Sequence, residues 1–132
     1  MKLYMLDTNT VSHLIKGNIK AKEKLASMPI SSVCISSITK AELVFGLCKR
    51  PSAVNLHEIV SQFLRAVQIM PWESSTAEKY GATRAELENQ GIVLSPLDLL
   101  IASHALEVTA ILVTNDKAFS RIKGLKIEDW TK

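Results

Sequence analysis

Lys2-Leu3-Tyr4-Met5-Leu6-Asp7-Thr8-Asn9 opens the chain as an apolar run stopped by a carboxylate, and Ala110-Ile111-Leu112-Val113-Thr114-Asn115-Asp116 repeats that arrangement near the other end. A short apolar run bounded by polar turn residues reads as a buried strand. Residues 2–6 and 110–113 are therefore expected to be strands. Val33-Cys34-Ile35 and Ile69-Met70 supply two more, and residues 125–127 a last one. Between them the apolar spacing turns helical. Residues 11–15 and 21–28 are separated by Gly17-Asn18 and closed by Pro29. Residues 39–48, starting near Ser37 or Thr39, stop before Pro51. Residues 54–67 form a longer amphipathic helix, and residues 74–90 end at Gly91. Ser95-Pro96-Leu97-Asp98 opens a helix reaching about Glu107, and residues 117–122 form a short one. Strands alternating with helices predict a parallel sheet covered on both faces. The expectation is one α/β/α domain over residues 1–132.

Bulk composition narrows the class. The 132 residues are 47% hydrophobic and 22% charged, ordinary globular usage that argues against disorder. A formal net charge of +3 permits an anionic partner without requiring one. Cys34 and Cys48 lack the close spacing of a zinc or redox pair and are expected to be small core residues in a reducing compartment. The amino-terminal run is too short for a signal peptide, and no apolar stretch approaches the roughly 20 residues needed to span a bilayer. A soluble, cytoplasmic protein is expected.

The acids carry the chemistry. Of the four aspartates, Asp7, Asp98, Asp116 and Asp129, three fall where ligands bind in such folds. Asp7 and Asp116 follow strands directly, and ligands of open parallel sheets bind outside the carboxyl ends of the strands. Asp98 lies in the first turn of a helix, and Glu42 in the first turns of the helix after the second strand. Each has a plainer role available. Asp7 and Asp116 can cap helices, Ser95 with Asp98 matches a capping pattern, and Glu42 can be a surface residue. Capping alone does not require three aspartates to share one sheet edge. Like charges about 4 Å apart repel by roughly 4 kcal/mol at an effective dielectric near 20, so a cluster calls for a cation. Oxygen-only donors suit Mg²⁺ or Mn²⁺, and such a metal can assist phosphodiester hydrolysis. His13, His57 and His104 have no ligand spacing, which speaks against zinc. Thr8, Asn9, Ser37, Thr39 and Thr114 surround the acids as supporting polar groups that can orient carboxylates or cap helices.

Those motifs resemble PIN-domain proteins of the VapC toxin type. Met5-Leu6-Asp7-Thr8-Asn9 looks like the family's opening, and Ile35-Ser36-Ser37-Ile38-Thr39-Lys40-Ala41-Glu42-Leu43 resembles its second acidic motif. Tyr80-Gly81 with Arg84-Ala85 and Leu87 resembles the helix before the third acid, Asp98 with Ile101-Ala102 and His104-Ala105 the third motif. Leu112-Val113-Thr114-Asn115-Asp116 with Phe119 resembles the fourth, and Gly124-Leu125 with Glu128-Asp129-Trp130 the usual ending. The likeness runs nearly end to end. It implies a five-stranded parallel sheet between helices and a Mg²⁺- or Mn²⁺-dependent endoribonuclease. Asp7, Glu42, Asp98 and Asp116 would be the metal-binding, catalytic acids. It also implies a homodimer neutralised by a VapB-like antitoxin, acting on structured RNA such as a tRNA anticodon stem-loop and arresting translation. The enterobacterial type that cuts initiator tRNA looks most similar. Two departures stand out: Leu94-Ser95-Pro96 replaces an Ile-Gly pair before the third acid, and Glu73 stands where Asp often follows Pro-Trp.

RNA backbone contacts need Lys and Arg. Lys40, Lys49, Arg50, Lys117 and Arg121 are the main candidates, with Lys16, Lys123 and Lys126 beside them. Trp72 reads as a packing residue, while Trp130 could stack on a base. Arg84 is placed to pair with an acid or a partner. Two rival functions remain. A haloacid dehalogenase-type phosphatase also starts with strand then Asp, but it wants Asp-x-Asp, and Asn9 occupies the third position. A non-catalytic RNA-binding PIN scaffold would bind RNA without cutting it.

Overall fold

Period-two alternation along the strands divides the core into two faces. Met5, Cys34 and Leu112 pack into one buried cluster, Leu6, Val33, Ile35 and Val113 into another. The computed structural model describes residues 2–132. Its elements run β1 (Tyr4–Leu6), α1 (Thr8–Ile15), α2 (Ile19–Ala26), a 3₁₀ turn (Ile30–Ser32), β2 (Val33–Ser36), α3 (Ser37–Cys48) and α4 (Val54–Ala66). They continue with β3 (Gln68–Met70), α5 (Ser74–Asn89), α6 (Pro96–Glu107), β4 (Ile111–Val113), a second 3₁₀ turn (Lys117–Arg121) and β5 (Ile127–Glu128). The sheet has five strands in the order β3-β2-β1-β4-β5, and every pairing is parallel. Leu87 of α5, Ile101 of α6 and Phe119 cover the face built on Met5 and Leu112. Val11 of α1, Leu43 of α3 and Val60 of α4 cover the other. This is the expected three-layer α/β/α arrangement.

Local chemistry explains where elements start. Asp7 caps α1 by accepting the Thr10 amide at 2.8 Å, so the helix begins three residues before its first apolar position, Val11. Ser36 caps α3 through the Ile38 amide, 3.1 Å. Ser95 accepts the Asp98 amide at 3.3 Å, and Pro96 at the first helical position stiffens that turn. Glu73 caps α5, with its amide donating to Thr76 Oγ1 at 3.4 Å. The last strand starts at Ile127, later than expected, because the chain is still turning at Gly124 (φ +85°).

Three expectations need correction. Cys48 is exposed, not core. It lies five residues beyond buried Leu43, about 140° around the helix from the face that packs. Trp130 is only 3% exposed, stacks at 5.8 Å against Tyr4 and donates Nε1–H to Glu128 Oε1 at 3.1 Å, so its ring is closed to a base. A solvated His57 is also expected from its amphipathic helix, but the side chain is half-buried and bonds the Arg50 carbonyl through Nε2 (2.9 Å), closing the α3–α4 turn.

Burial pushes the Cys34 thiol up to about 12. A thiol reagent should therefore modify Cys48 at once and Cys34 only after denaturation. One thiol should titrate in native buffer and two in strong denaturant. Among the described residues no helix is long and apolar enough to cross a membrane.

Candidate active site

β1 lies at the centre of the sheet. The chain leaves it outward through β2 and β3, then returns to the other flank as β4 and β5. The order therefore reverses between β1 and β4, and the crevice at their carboxyl ends is the natural ligand position. Asp7 ends β1, and Thr114 and Asp116 follow β4. The two strand ends are tied together: the Val113 carbonyl accepts both the Asp7 amide (3.0 Å) and Thr10 Oγ1 (2.9 Å).

Asp7 is the buried member of the set, 4% exposed. Burial pushes its carboxyl above the usual range. The Thr114 hydroxyl and the Thr10 amide pull it down, and the Asp98 charge raises it further. Asp98, on the first turn of α6, is thus near enough to be felt electrostatically. The Thr114 hydroxyl also accepts the Asp116 amide at 3.0 Å, so one side chain serves two acids. Asp116 caps the second 3₁₀ turn through the Ala118 amide, 2.9 Å. On the other side, Thr8 Oγ1 donates to Glu42 Oε1 at 2.6 Å and lies 3.4 Å from the buried Thr39 hydroxyl. The residue after Asp7 therefore holds Glu42 beside the same strand end.

Capping and grouping turn out to be compatible: Asp7 and Asp116 each cap an element while standing at one edge of the sheet. Among the described residues no three His, Cys, Asp or Glu side chains close into a ready-made metal cage. Asp98 is felt by Asp7 through its charge, and Glu42 is tied to the residue that follows Asp7. Ser37 serves another purpose, accepting the Trp72 amide at 3.1 Å, and Asn9 is exposed on α1. Beside Thr8 and Glu42 opens a cavity of about 330 Å³ walled by Lys16, Lys49, Arg50 and apolar residues of α1, α3 and α4. The Lys49 ammonium sits 4.7 Å from the Phe45 ring centroid. Lys40, Lys117 and Arg121 are exposed. Arg84 pairs with Glu88 at 2.8 Å and donates to Tyr80 Oη at 3.1 Å.

Two residues have partners that the sequence reading did not give: Thr10, which it did not name, and His104, which it named only within the third motif and as no ligand. Thr10 sits three places after Asp7, the spacing of a capping contact, so that signal was available. His104 gave none. It is 1% exposed, and its Nδ1 lies 2.8 Å from Ser36 Oγ at the carboxyl end of β2. Burial lowers its pKa below the ordinary 6.5, more than Glu107, Glu73 and the Pro71 carbonyl raise it. The unfolded chain then binds more protons in the window below 6.5. Stability should fall as pH drops through that window. Urea midpoints measured between pH 7 and 5 should decline in the wild type. In His104→Gln the unfolding free energy should be lower throughout by roughly 1–3 kcal/mol and the midpoint less pH-dependent.

The PIN domain family profile matches residues 4–125. The "tRNA(fMet)-specific endonuclease VapC" of Salmonella typhimurium is 35% identical over 131 residues, covering 98% of this chain and 99% of the relative. "Ribonuclease VapC2" of Rickettsia felis is 37% identical over 135 residues, with 98% and 99% covered. The crystal structure of DNA-bound VapBC from Salmonella typhimurium superposes with a TM-score of 0.90 at 35% identity, covering 98% of this chain and 99% of that one.

Proposed function

Since the chain belongs to the PIN-domain family and is similar end to end to VapC ribonucleases, we propose that it is a divalent-metal-dependent endoribonuclease toxin cutting structured RNA, with tRNA(fMet) its first candidate substrate. The observation that carries this reading is the buried Asp7 carboxylate at the β1/β4 reversal, raised by burial and by Asp98. A desolvated anion that feels a second anion is a site prepared for positive charge. Asp7, Glu42, Asp98 and Asp116 are the proposed catalytic and metal-holding residues. Their oxygen-only donor set fits a hard cation such as Mg²⁺ or Mn²⁺. When bound, such an ion supplies Lewis-acid neutralisation of charge developing on a phosphodiester and makes water a better nucleophile.

The chain's own residues do the positioning. Thr114 holds Asp7 and the Asp116 amide together, so the β4 end moves with the β1 end. Thr8 fixes one Glu42 oxygen at 2.6 Å and leaves the other turned to its own surroundings. Thr39, buried behind Thr8, supports that pair. Lys16, Lys49 and Arg50 border the cavity at Glu42 and are the proposed contacts for the adjoining RNA backbone, with Lys40, Lys117 and Arg121 beyond. A VapB-like antitoxin as neutralising partner and a homodimer in the cytoplasm complete the proposal, with residues 1–132 acting as one nuclease domain.

The test is incubation of the purified chain with total cellular RNA in Mg²⁺ or Mn²⁺, followed by mapping of fragment ends. Discrete cuts that vanish on chelation are expected. Cleavage that persists in excess chelator, or none with either metal, overturns the reading.

A further inference from the structure

Away from the acids, the described residues gather positive charge without pairing it. From Lys117 to Ile127 the sequence carries Lys117, Arg121, Lys123 and Lys126 and no acid. Arg121 and Lys123 share a cavity of about 340 Å³ with Lys79 of α5, over a floor that includes Leu87 and Leu106. A second cavity, about 470 Å³, contains Lys2 and Lys126 and meets the first at Leu106 and Gly124. Five cations therefore line one continuous strip. Only Glu86 and Glu128 face it, and Glu128 is engaged by the Trp130 indole N–H. Among the described residues the only side-chain ion pair is Arg84–Glu88, so neither acid neutralises the strip.

Position gives the strip meaning. Lys117, next to Asp116, starts the 3₁₀ turn that ends at Arg121, and a five-residue 3₁₀ turn advances about 10 Å. The second cavity lies where β1 and β4 begin, at the sheet edge opposite the acids. Those strands are three residues long, so the two edges are roughly 10 Å apart. An RNA with one phosphodiester at the acids has further backbone within reach of this flank.

We infer that Lys79, Arg121 and Lys123, continued by Lys126 and Lys2, form a second RNA-backbone contact that holds the body of a folded substrate apart from the bond being cut. Folded RNA is recognised through shape and phosphates, which asks for a long cationic track rather than a single pocket. The inference rests on the ribonuclease reading above.

The experiment measures equilibrium binding of a labelled full-length tRNA(fMet) transcript and of its isolated anticodon stem-loop. It uses full-length Asp7→Asn protein, whose cutting is expected to be slow enough for equilibrium binding to be read, over a series of salt concentrations. Adding Lys79→Gln, Arg121→Gln and Lys123→Gln should weaken binding of the full transcript by about tenfold or more and lower the log–log salt slope by roughly 2–3. Stem-loop affinity should change less than twofold. Glu86→Lys should do the reverse, tightening the transcript alone, a gain that misfolding cannot imitate. Equal losses on both RNAs, or an unchanged salt slope with the transcript, overturn the inference. Cleavage of both RNAs by the wild type in Mg²⁺ reads the other question: if the wild type cuts neither RNA while the slope difference persists, the nuclease reading fails and the strip stands.

Discussion

Asp7→Asn should cut RNA at least about 100-fold more slowly than the wild type, the scale of loss when a metal-orienting group is removed, and yet melt at a higher temperature. Both effects come from one carboxylate. Burial raises its pKa above 3.8, so the folded chain binds that proton more tightly than the unfolded chain. Stability is then complete at low pH, is lost as pH rises through the folded pKa, and stays lower at neutral pH. Asparagine carries no charge, so that loss disappears, while its side-chain oxygen still accepts the Thr10 amide and keeps α1 capped. Melting scans with and without Mg²⁺ separate the components. The ion should raise the wild-type midpoint by mass action and leave Asp7→Asn nearly unmoved. A variant that melts lower than the wild type in chelator, or that still responds fully to Mg²⁺, would show that Asp7 is a structural cap and no ligand.

Phe119→Ala should be among the most damaging changes away from the acids, costing about 3–5 kcal/mol. Phe119 is 1% exposed and belongs to the cluster built on Met5, Leu112 and Ile101. It is also the only buried residue of the Lys117–Arg121 turn. The side chain thus fastens that turn to the sheet, and Asp116 caps the turn. For a chain of this size the loss corresponds to roughly 10–20 °C in melting temperature. Activity at low temperature should fall further than the folded fraction explains, because Asp116 loses its support. Phe119→Leu, which keeps most of the volume, should recover most of both. Activity that tracks the folded fraction alone would detach the turn from the site.

The sequence made the architecture readable because short apolar runs ending in carboxylates have few other uses. Asp7 and Asp116 could be placed at strand ends, and Asp98 and Glu42 in the first turns of their helices, from the pattern alone. What could not be read was contact across elements. Nothing in the one-dimensional pattern says that Thr8 serves Glu42 rather than Asp7, or that Ser37 serves the Trp72 amide. Trp130 misled because its neighbours Glu128 and Asp129 are polar, whereas its ring fills the space beside Tyr4. Cys48 misled because an apolar helix end looks buried until the packed side is known. The partner of His104 could not be read for the opposite reason: Ser36 lies 68 residues away.

The doubly accepting carbonyl of Val113 has a dynamic consequence. With the Asp7 amide and the Thr10 hydroxyl both anchored on it, the floor between β1 and β4 opens only if two bonds break together. Deuterium should reach the Asp7 amide only when the whole molecule unfolds, among the slowest positions in the chain.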